Sequence, residues 1–407
     1  MWPSMKPSLG WLMNDLIPAV RGRPGSTAVH VRYESAGLVL HEMPVPATAD
    51  AVIVEVLLRL PPAARQKADY LLRMPGLEPF APELLRKDDR DPHRYRLTFR
   101  LPVPMYSARA ELLWRNKLLA DVPVPVLAAD DFLAKLNASH ATATVQVADR
   151  SVAAQTFVAA QCRGFTTALV LKSPTALVPL ASLGVRVVFR SERTAGEQVV
   201  PVPLTSSQLS SKEVLLTASP PKLPRRSGQY SATWYAGHRE LAVLRVRAVT
   251  GKEFLQSLRL SDTRFAVADK AGAVRFVRHA PPPGPDAARI GPCFVVCSNR
   301  PGMAGWIALK AVGQPHGEPP LELDGSILVT DGPTVFAPGM LDLASAAHLN
   351  GFDLRTKAHT LGTLSLHPVP TAAFTAEGGY RPPPEFAWTP TAEDELAERL
   401  AKLMREG

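Results

Sequence analysis

Gly228–Phe254 reads GQYSATWYAGHRELAVLRVRAVTGKEF, and the way this stretch alternates decides the fold class. Tyr230, Ala232 and Trp234 fall on one side at period two, with Ser231 and Thr233 on the other, which is the pattern of a strand. Ala236-Gly237-His238 supplies a tight turn, because glycine reaches positive φ without steric cost. Alternation then resumes. Leu244, Val246 and Ala248 take one face, and Arg245 and Arg247 the other, as in a strand with one buried and one wet face. Thr250 and Glu253 have capping-box spacing, which predicts a short helical turn carrying Phe254, Leu255 and Leu258.

Working outward, weaker copies of the stretch lie on either side. Tyr106-Ser107-Ala108 matches Tyr230-Ser231-Ala232 at an offset of 124, and Phe132-Leu133 matches Phe254-Leu255 at an offset of 122. A fainter third copy is Gly351-Phe352-Asp353-Leu354, followed by Leu364, Leu366 and Phe374. An upstream apolar run also recurs, at Val56–Leu60, Ala168–Lys172 and Ile307–Lys310. A period near 120 residues predicts three modules.

Composition agrees with a β-rich protein. In 407 residues there are 40 prolines, too many for long helices, and the runs between them are rich in Val, Leu and Thr. The length calls for two to four domains, and 46% hydrophobic with 20% charged residues is the balance of a folded protein. The net charge of +9 permits attraction to acidic surfaces, but acids are mixed in, as in Arg86-Lys87-Asp88-Asp89-Arg90-Asp91. Cys162, Cys293 and Cys297 are too few for a disulfide framework, so a reducing cytoplasm is expected. The N-terminal segment has no signal-peptide pattern, since Asn14, Asp15 and Pro18 break it, and no apolar run has the length of a membrane span.

In chain order the expected organisation is as follows. Residues 1–27 hold an amphipathic segment with Leu9, Leu12, Met13, Leu16, Ile17 and Val20 on one face. Residues 28–131 form a first module with strands at Val29–Tyr33, Val52–Leu60 and Arg94–Leu101; a helix is placed between the last two, in Pro61–Lys87. Residues 132–253 form a second module. In it Gln155–Leu171 reads as one long buried strand or as a strand pair broken at Arg163-Gly164, and a turn at Thr194-Ala195-Gly196 separates two strands. Residues 254–371 form a third, with a polyproline loop at Ala280–Pro285. Residues 372–407 are a proline-rich linker and a helix that starts at Thr389-Pro390, with Leu396, Leu400, Leu403 and Met404 as its stripe. That stripe has to bury against either the protein's own body or a partner.

The run Ser227–Trp234 resembles the F strand of immunoglobulin-like domains, where Gly-x-Tyr-x-Cys carries a tyrosine corner. Ala232 stands at the place of the cysteine, so the resemblance implies a disulfide-free version of the sandwich. The first module keeps Tyr106 and Ala108, and the third has Gly351 with Asp353 in place of the tyrosine. The fold expected is therefore mainly β, with tandem immunoglobulin-like sandwiches flanked by a short N-terminal and a C-terminal amphipathic helix. Such a fold hosts many functions and implies none by itself.

Familiar catalytic patterns do not occur. GxxxxGK[ST], strand-coupled GxGxxG, GxSxG and HExxH are all missing, and Asp324–Leu328 fails the nucleophile elbow. Cys293 and Cys297 sit four residues apart on an expected strand, about 13 Å, too far to share a metal. His348, Asp353, His359 and His367 gather near the last hairpin and are the only polar cluster suggesting a site. Asp130-Asp131 and Asp394-Glu395 read as helix starts. No catalytic, cofactor-binding or metal-binding residue is assigned, and no cofactor is implied. The function expected is a non-catalytic interaction, scaffold or assembly role with a protein partner or sister subunit, engaged in one reading through the C-terminal helix. The alternatives are an enzyme or ligand-binding protein with a site in module 3, and nucleic-acid contact through Arg225, Arg226, Arg239, Arg245 and Arg247.

Overall fold

A computed structural model describes residues 24–61, 64–88, 94–278, 287–315, 319–346, 348–357, 359–366 and 390–406. The chain is mainly β, and its strands form three successive sandwiches of the immunoglobulin-like kind. The N-terminal segment expected as a helix, the polyproline loop, the linker, His367 and Phe374 lie outside the described residues.

The first sandwich contains β1 (Gly25–Ser35), β2 (Leu38–Leu40), β3 (Val45–Pro46), β4 (Ala51–Arg59), β5 (Tyr70–Arg73), β6 (Leu84–Lys87), β7 (Arg94–Leu101), β8 (Ala108–Trp114), β9 (Lys117–Val124) and β10 (Val126–Leu127). One sheet has the order β2-β1-β4-β7-β6 and the other β5-β8-β9, and β3 runs parallel to β10. With β1, β4, β7 and β6 as strands A, B, E and D, and β5, β8 and β9 as C, F and G, this is the constant-type order. Alternation drives it. Val52, Val54, Val56 and Leu58 of β4, with Leu97, Phe99 and Leu101 of β7, are buried on the inner face. The helix expected in Pro61–Lys87 is not there. Among the described residues the segment before β5 holds 3-10 geometry, at Ala64 and in the turn Lys67–Asp69, and no α-helix. Tyr70 and Leu72 alternate into the core, and Tyr70 donates its hydroxyl to the Ala64 carbonyl at 2.7 Å. Burial of two alternate large side chains outweighed the local helix propensity of the alanines.

Helix α1 (Ala129–Lys135) leads into the second sandwich, which contains β11 (Asn137–Val147), β12 (Arg150–Ala153), β13 (Thr156–Val158), β14 (Cys162–Lys172), α2 (Leu180–Leu183), β15 (Val185–Ser191), β16 (Thr194–Pro201), α3 (Ser206–Leu209), β17 (Glu213–Ala218), β18 (Gly228–Ala236) and β19 (Arg239–Val249). One sheet runs β12-β11-β14-β17 and the other β16-β15-β18-β19-β13. The latter reads C′-C-F-G-A′, with β13 parallel to β19. The break in Gln155–Leu171 falls at the 3-10 turn Ala159–Gln161, where the chain crosses between sheets, and Gly164 sits instead beside a register shift in the β11–β14 ladder. The turn before β16 is at Glu192-Arg193, so Thr194 already pairs with Ser191.

Helix α4 (Gly251–Ser257) begins the third set: β20 (Leu258–Asp269), β21 (Val274–Val277), β22 (Ala287–Ser298), β23 (Met303–Pro315), β24 (Leu321–Val329), β25 (Thr334–Phe336), β26 (Leu341–Asp342), α5 (Leu343–Ala346), β27 (Leu349–Arg355) and β28 (Thr360–Ser365). Strands β21-β20-β22-β25 make one sheet, with β26 also on β22, and β24-β23-β27-β28 the other. The capping box read from the sequence is present: Thr250 Oγ1 accepts from the Glu253 amide at 3.2 Å, and the Glu253 carboxylate accepts from the Thr250 amide at 2.8 Å. That amide, with the Thr250 hydroxyl, holds the Glu253 carboxyl below its ordinary value.

The joints are specific. Helices α1 and α4 are 122 residues apart at both ends, Ala129 to Gly251 and Lys135 to Ser257, and each buries one phenylalanine, Phe132 or Phe254. Between the first and second sandwiches, Leu133 of α1 lies under the β18–β19 turn and Arg239 donates to the Leu136 carbonyl at 3.2 Å. Between the second and third, β13 is the shared strand. It pairs in parallel with β19 on one side and with β23 on the other, so one nine-stranded sheet runs through both sandwiches. The Gln161 amide holds the Trp306 backbone, accepting from its N–H at 2.7 Å and donating to its carbonyl at 2.8 Å. Gly302, at φ +57, brings its carbonyl to the amides of Gln155 and Thr156, both at 2.9 Å.

Helix α6 (Pro390–Glu406) lays part of its stripe against the protein's own body; the side chains of Leu403 and Met404 lie outside the described residues. Leu396 and Leu400 are buried against Ala266, Cys293 and Ala337 of the third sandwich, and Arg264 pairs with Glu393 at 2.9 Å. Among the described residues no helix is long and apolar enough to cross a membrane.

Candidate functional site

The hairpin β18–β19 forms one wall of a cleft of about 420 Å³ at one end of the second sandwich. Its floor is apolar, because the inward positions of facing strands meet there: Phe165 of β14, Phe189 of β15, and Leu244 and Val246 of β19. Phe165 and Phe189 meet edge to face with centroids 6.4 Å apart. Its rim comes from the turn into β16 and from the proline-bent connection between β17 and β18. Lys222 donates its amide to the Gln198 side chain at 3.1 Å, which ties that connection to β16.

Tyr230 closes the corner. Its hydroxyl donates to the Arg226 carbonyl four residues upstream at 2.8 Å, the tyrosine corner of immunoglobulin-like domains. Tyr230→Phe is expected to lower stability by about 0.5–1.5 kcal/mol, the usual worth of one such bond, measured by urea unfolding. Among the described residues the first sandwich has no such corner. Tyr106 is 79% exposed and precedes β8. Counting back from the hairpin closing pairs, Trp114/Lys117 and Ala236/Arg239, the partner of Tyr230 is Ala108. The offset of 122 is therefore the structural one, and 124 was a chance likeness of letters. Asp353 likewise lies two residues from its closing pair, Arg355/Thr360, where Tyr230 lies six from its own.

The rim is basic. Arg190, Arg193, Lys222, Arg225 and Arg226 face one carboxylate, Glu197, which Arg190 holds at 2.8 Å. Among the described residues no carboxylate lies within ion-pair distance of Arg193, Lys222, Arg225 or Arg226. Burial pushes the Cys162 thiol up to about 11, with its contact to Gly164 and the charge of Arg225 pulling the other way. The five arginines read as one basic face are divided. Arg225 and Arg226 edge the cleft, Arg245 lines an adjoining hollow that shares Arg190, Ser191, Tyr230 and Ser231 with it, and Arg247 pairs with Glu253 at 3.6 Å. Arg239 is at the opposite end of the hairpin, against α1.

Among the described residues the third-module cluster does not come together, and His367 lies outside them. His348 and His359 flank β27 at its two ends, about 20 Å apart along a strand of that length. Asp353 is occupied by Arg355 at 2.7 Å, Thr363 at 2.7 Å and Gln314. Burial raises its pKa, but these three donors outweigh it and hold the carboxyl below its ordinary value. A depressed folded pKa gives stability that is full above the unfolded value of about 3.9 and is lost as pH falls through the folded one. Asp353→Asn is therefore expected to melt earlier than wild type at pH 7, with the gap closing below about pH 4 in thermal scans. Among the described residues no group of three metal-ligating side chains occurs. Cys293 and Cys297 are buried on β22, as a packing role requires, and burial pushes the Cys293 thiol up to about 12.

The signal missed in the sequence was distributed. Arg190, Arg193 and Lys222 are scattered over more than thirty residues and converge only through the two turns.

No family model matches the chain, and no curated protein does. Among solved structures, InvD of Yersinia pseudotuberculosis is similar at 11% identity and a TM-score of 0.23, over 78% of this chain and 92% of that one. The Escherichia coli adhesin FdeC is similar at 10% identity and a TM-score of 0.23, over 84% and 96%. Domains 6–7 of the surface layer protein SbsC are similar at 12% identity and a TM-score of 0.23, over 52% and 92%. At these values the immunoglobulin-like assignment rests on strand order and the Tyr230 corner, not on the likenesses.

Proposed function

We propose that the protein is a non-catalytic interaction and assembly component whose sandwiches form a stiff frame for a protein partner or a sister copy. The shared strand β13 carries this reading. Its backbone is hydrogen-bonded on both sides, so the second and third sandwiches cannot swing apart without breaking a ladder on one of them. Relative domain motion is the default for tandem modules, and a continuous sheet removes it. A frame of fixed geometry presents surfaces at fixed spacing, which suits assembly. Strand addition at the outer edge of β16, which among the described residues pairs with β15 alone and exposes Val199, is the mode this reading favours.

The test is co-purification from the native cell followed by cross-link mapping on the intact chain. Cross-links to a protein partner or sister copy clustered on β16, and reduced recovery with Val199→Lys, support the proposal. Purification of the chain alone, with no self-association at cellular concentration, would sink it. Helix α6 is seated on the third sandwich, so Leu400→Glu separately tests the tail: an unchanged partner set would remove it from the assembly role. We also place the protein in a reducing cytoplasm, where its three buried free thiols would be kept as they are; cell fractionation tests that placement.

A further inference from the structure

The cleft of the second sandwich has features that a frame does not need, and from them we infer that it is a binding site for a small amphipathic anion, an apolar body carrying a carboxylate, sulfonate or phosphate head.

Three observations carry this. The first is the unbalanced rim. Arg193, Lys222, Arg225 and Arg226 converge from two connections with no carboxylate in ion-pair reach among the described residues. Four like charges held together repel each other, and an anion relieves that repulsion. The second is the floor. Leu223 and Leu244 are only half-buried while Phe165 and Phe189 beneath them are buried, so apolar surface is open to a ligand directly inside the charged rim. An inorganic ion would leave that surface wet. The third is the rigidity of the rim. The Gln198–Lys222 bond, the Tyr230–Arg226 bond and Pro220, Pro221 and Pro224 fix the connection, so its cations are positioned before any ligand arrives. At about 420 Å³ the cleft falls in the range of about 300–1,000 Å³ usual for small-molecule sites. A nucleic acid would need a basic track, and Arg239 and Arg247 lie elsewhere, already engaged.

In this geometry the head sits among Arg193, Arg225 and Arg226, and the body lies along Leu223 and Leu244 over the two phenylalanines. The site is independent of the assembly role and stands or falls separately.

The experiment uses the full chain and fluorescence of anilinonaphthalene sulfonate, an aromatic anion that brightens in apolar surroundings. Saturable binding at one site, displaced by decanoate but not by decyltrimethylammonium or by inorganic phosphate alone, is expected. Arg225→Gln/Arg226→Gln should weaken decanoate at least tenfold by removing head contacts. Leu244→Trp should do so by filling the floor, and Arg150→Gln, on an exposed strand elsewhere, should change nothing. Thermal transitions matching wild type establish that each variant is folded. Should the arginine pair bind decanoate within twofold of wild type, or the cationic detergent bind as well as the anion, the proposal is overturned. Displacement by an oligonucleotide but not by decanoate would overturn it too.

Discussion

Phe254→Ala is expected to lower stability by about 3–5 kcal/mol, the usual cost of emptying a buried phenylalanine site, and to loosen the joint between the second and third sandwiches. Phe254 is 2% exposed and sits in the core of the third sandwich together with Val158 of β13 and Met303 of β23. Its ring fills the space left by Gly305, so that one side chain braces both ladders of the shared strand. Removing it leaves a cavity beside β13, which a capped helix cannot collapse to fill, because the Thr250–Glu253 box fixes where α4 starts. Two measurements check this. Urea unfolding should give the stability loss. Hydrogen exchange should show the amides of Thr156 to Val158 opening before those of β15 and β18. Small-angle scattering with an unchanged envelope and unchanged exchange at β13 would mean that Phe254 is core filler and not a brace.

Gly305→Val should be comparably damaging for the opposite reason. A Cβ on Gly305 would lie 2.7 Å from the Phe254 ring and 2.8 Å from Val158, closer than carbon atoms approach. The extra branch forces α4 or β13 outward. Overpacking costs about 1–3 kcal/mol, and more where a backbone must move. The two sites share one volume, so they should be coupled. Gly305→Ala should cost less in a Phe254→Leu background than in wild type, with a coupling of about 0.5–3 kcal/mol. Simple additivity in that cycle would show that the glycine is tolerated for another reason.

Both predictions concern a contact that the sequence marked only in part. Phe132 and Phe254 stood out because each follows an acid-rich or capped helical start at the same spacing, a local pattern. Gly305 carried no signal, since its role appears only when β23 lies against α4. The same contrast holds at the cleft. Tyr230 was legible as a corner because its partner is four residues away. The Tyr106 match failed because three identical letters said nothing of where the hairpin turns. Cys293 to Cys297 was read as part of a strand, but its lack of alternation had a further meaning. Phe294 and Val296 face the sandwich core, and Cys293 on the other face is covered by α6. A strand buried on both sides needs apolar residues at every position.

Sequence alone therefore determined what depends on neighbours along the chain. The β class follows from period-two alternation between prolines, the α4 start from its capping box, the α6 helix from Pro390 and its stripe, and the middle corner from Gly228-x-Tyr230. Tertiary structure decided what depends on residues far apart in sequence: the passage of β13 from one sandwich to the next, the seat of α6 on the third sandwich, the separation of His348 from His359, and the gathering of basic side chains around an apolar floor. Alternation and helix capping act between near neighbours along the chain and leave local or periodic traces. Burial and charge convergence act through space, and one chain can satisfy them in many orders.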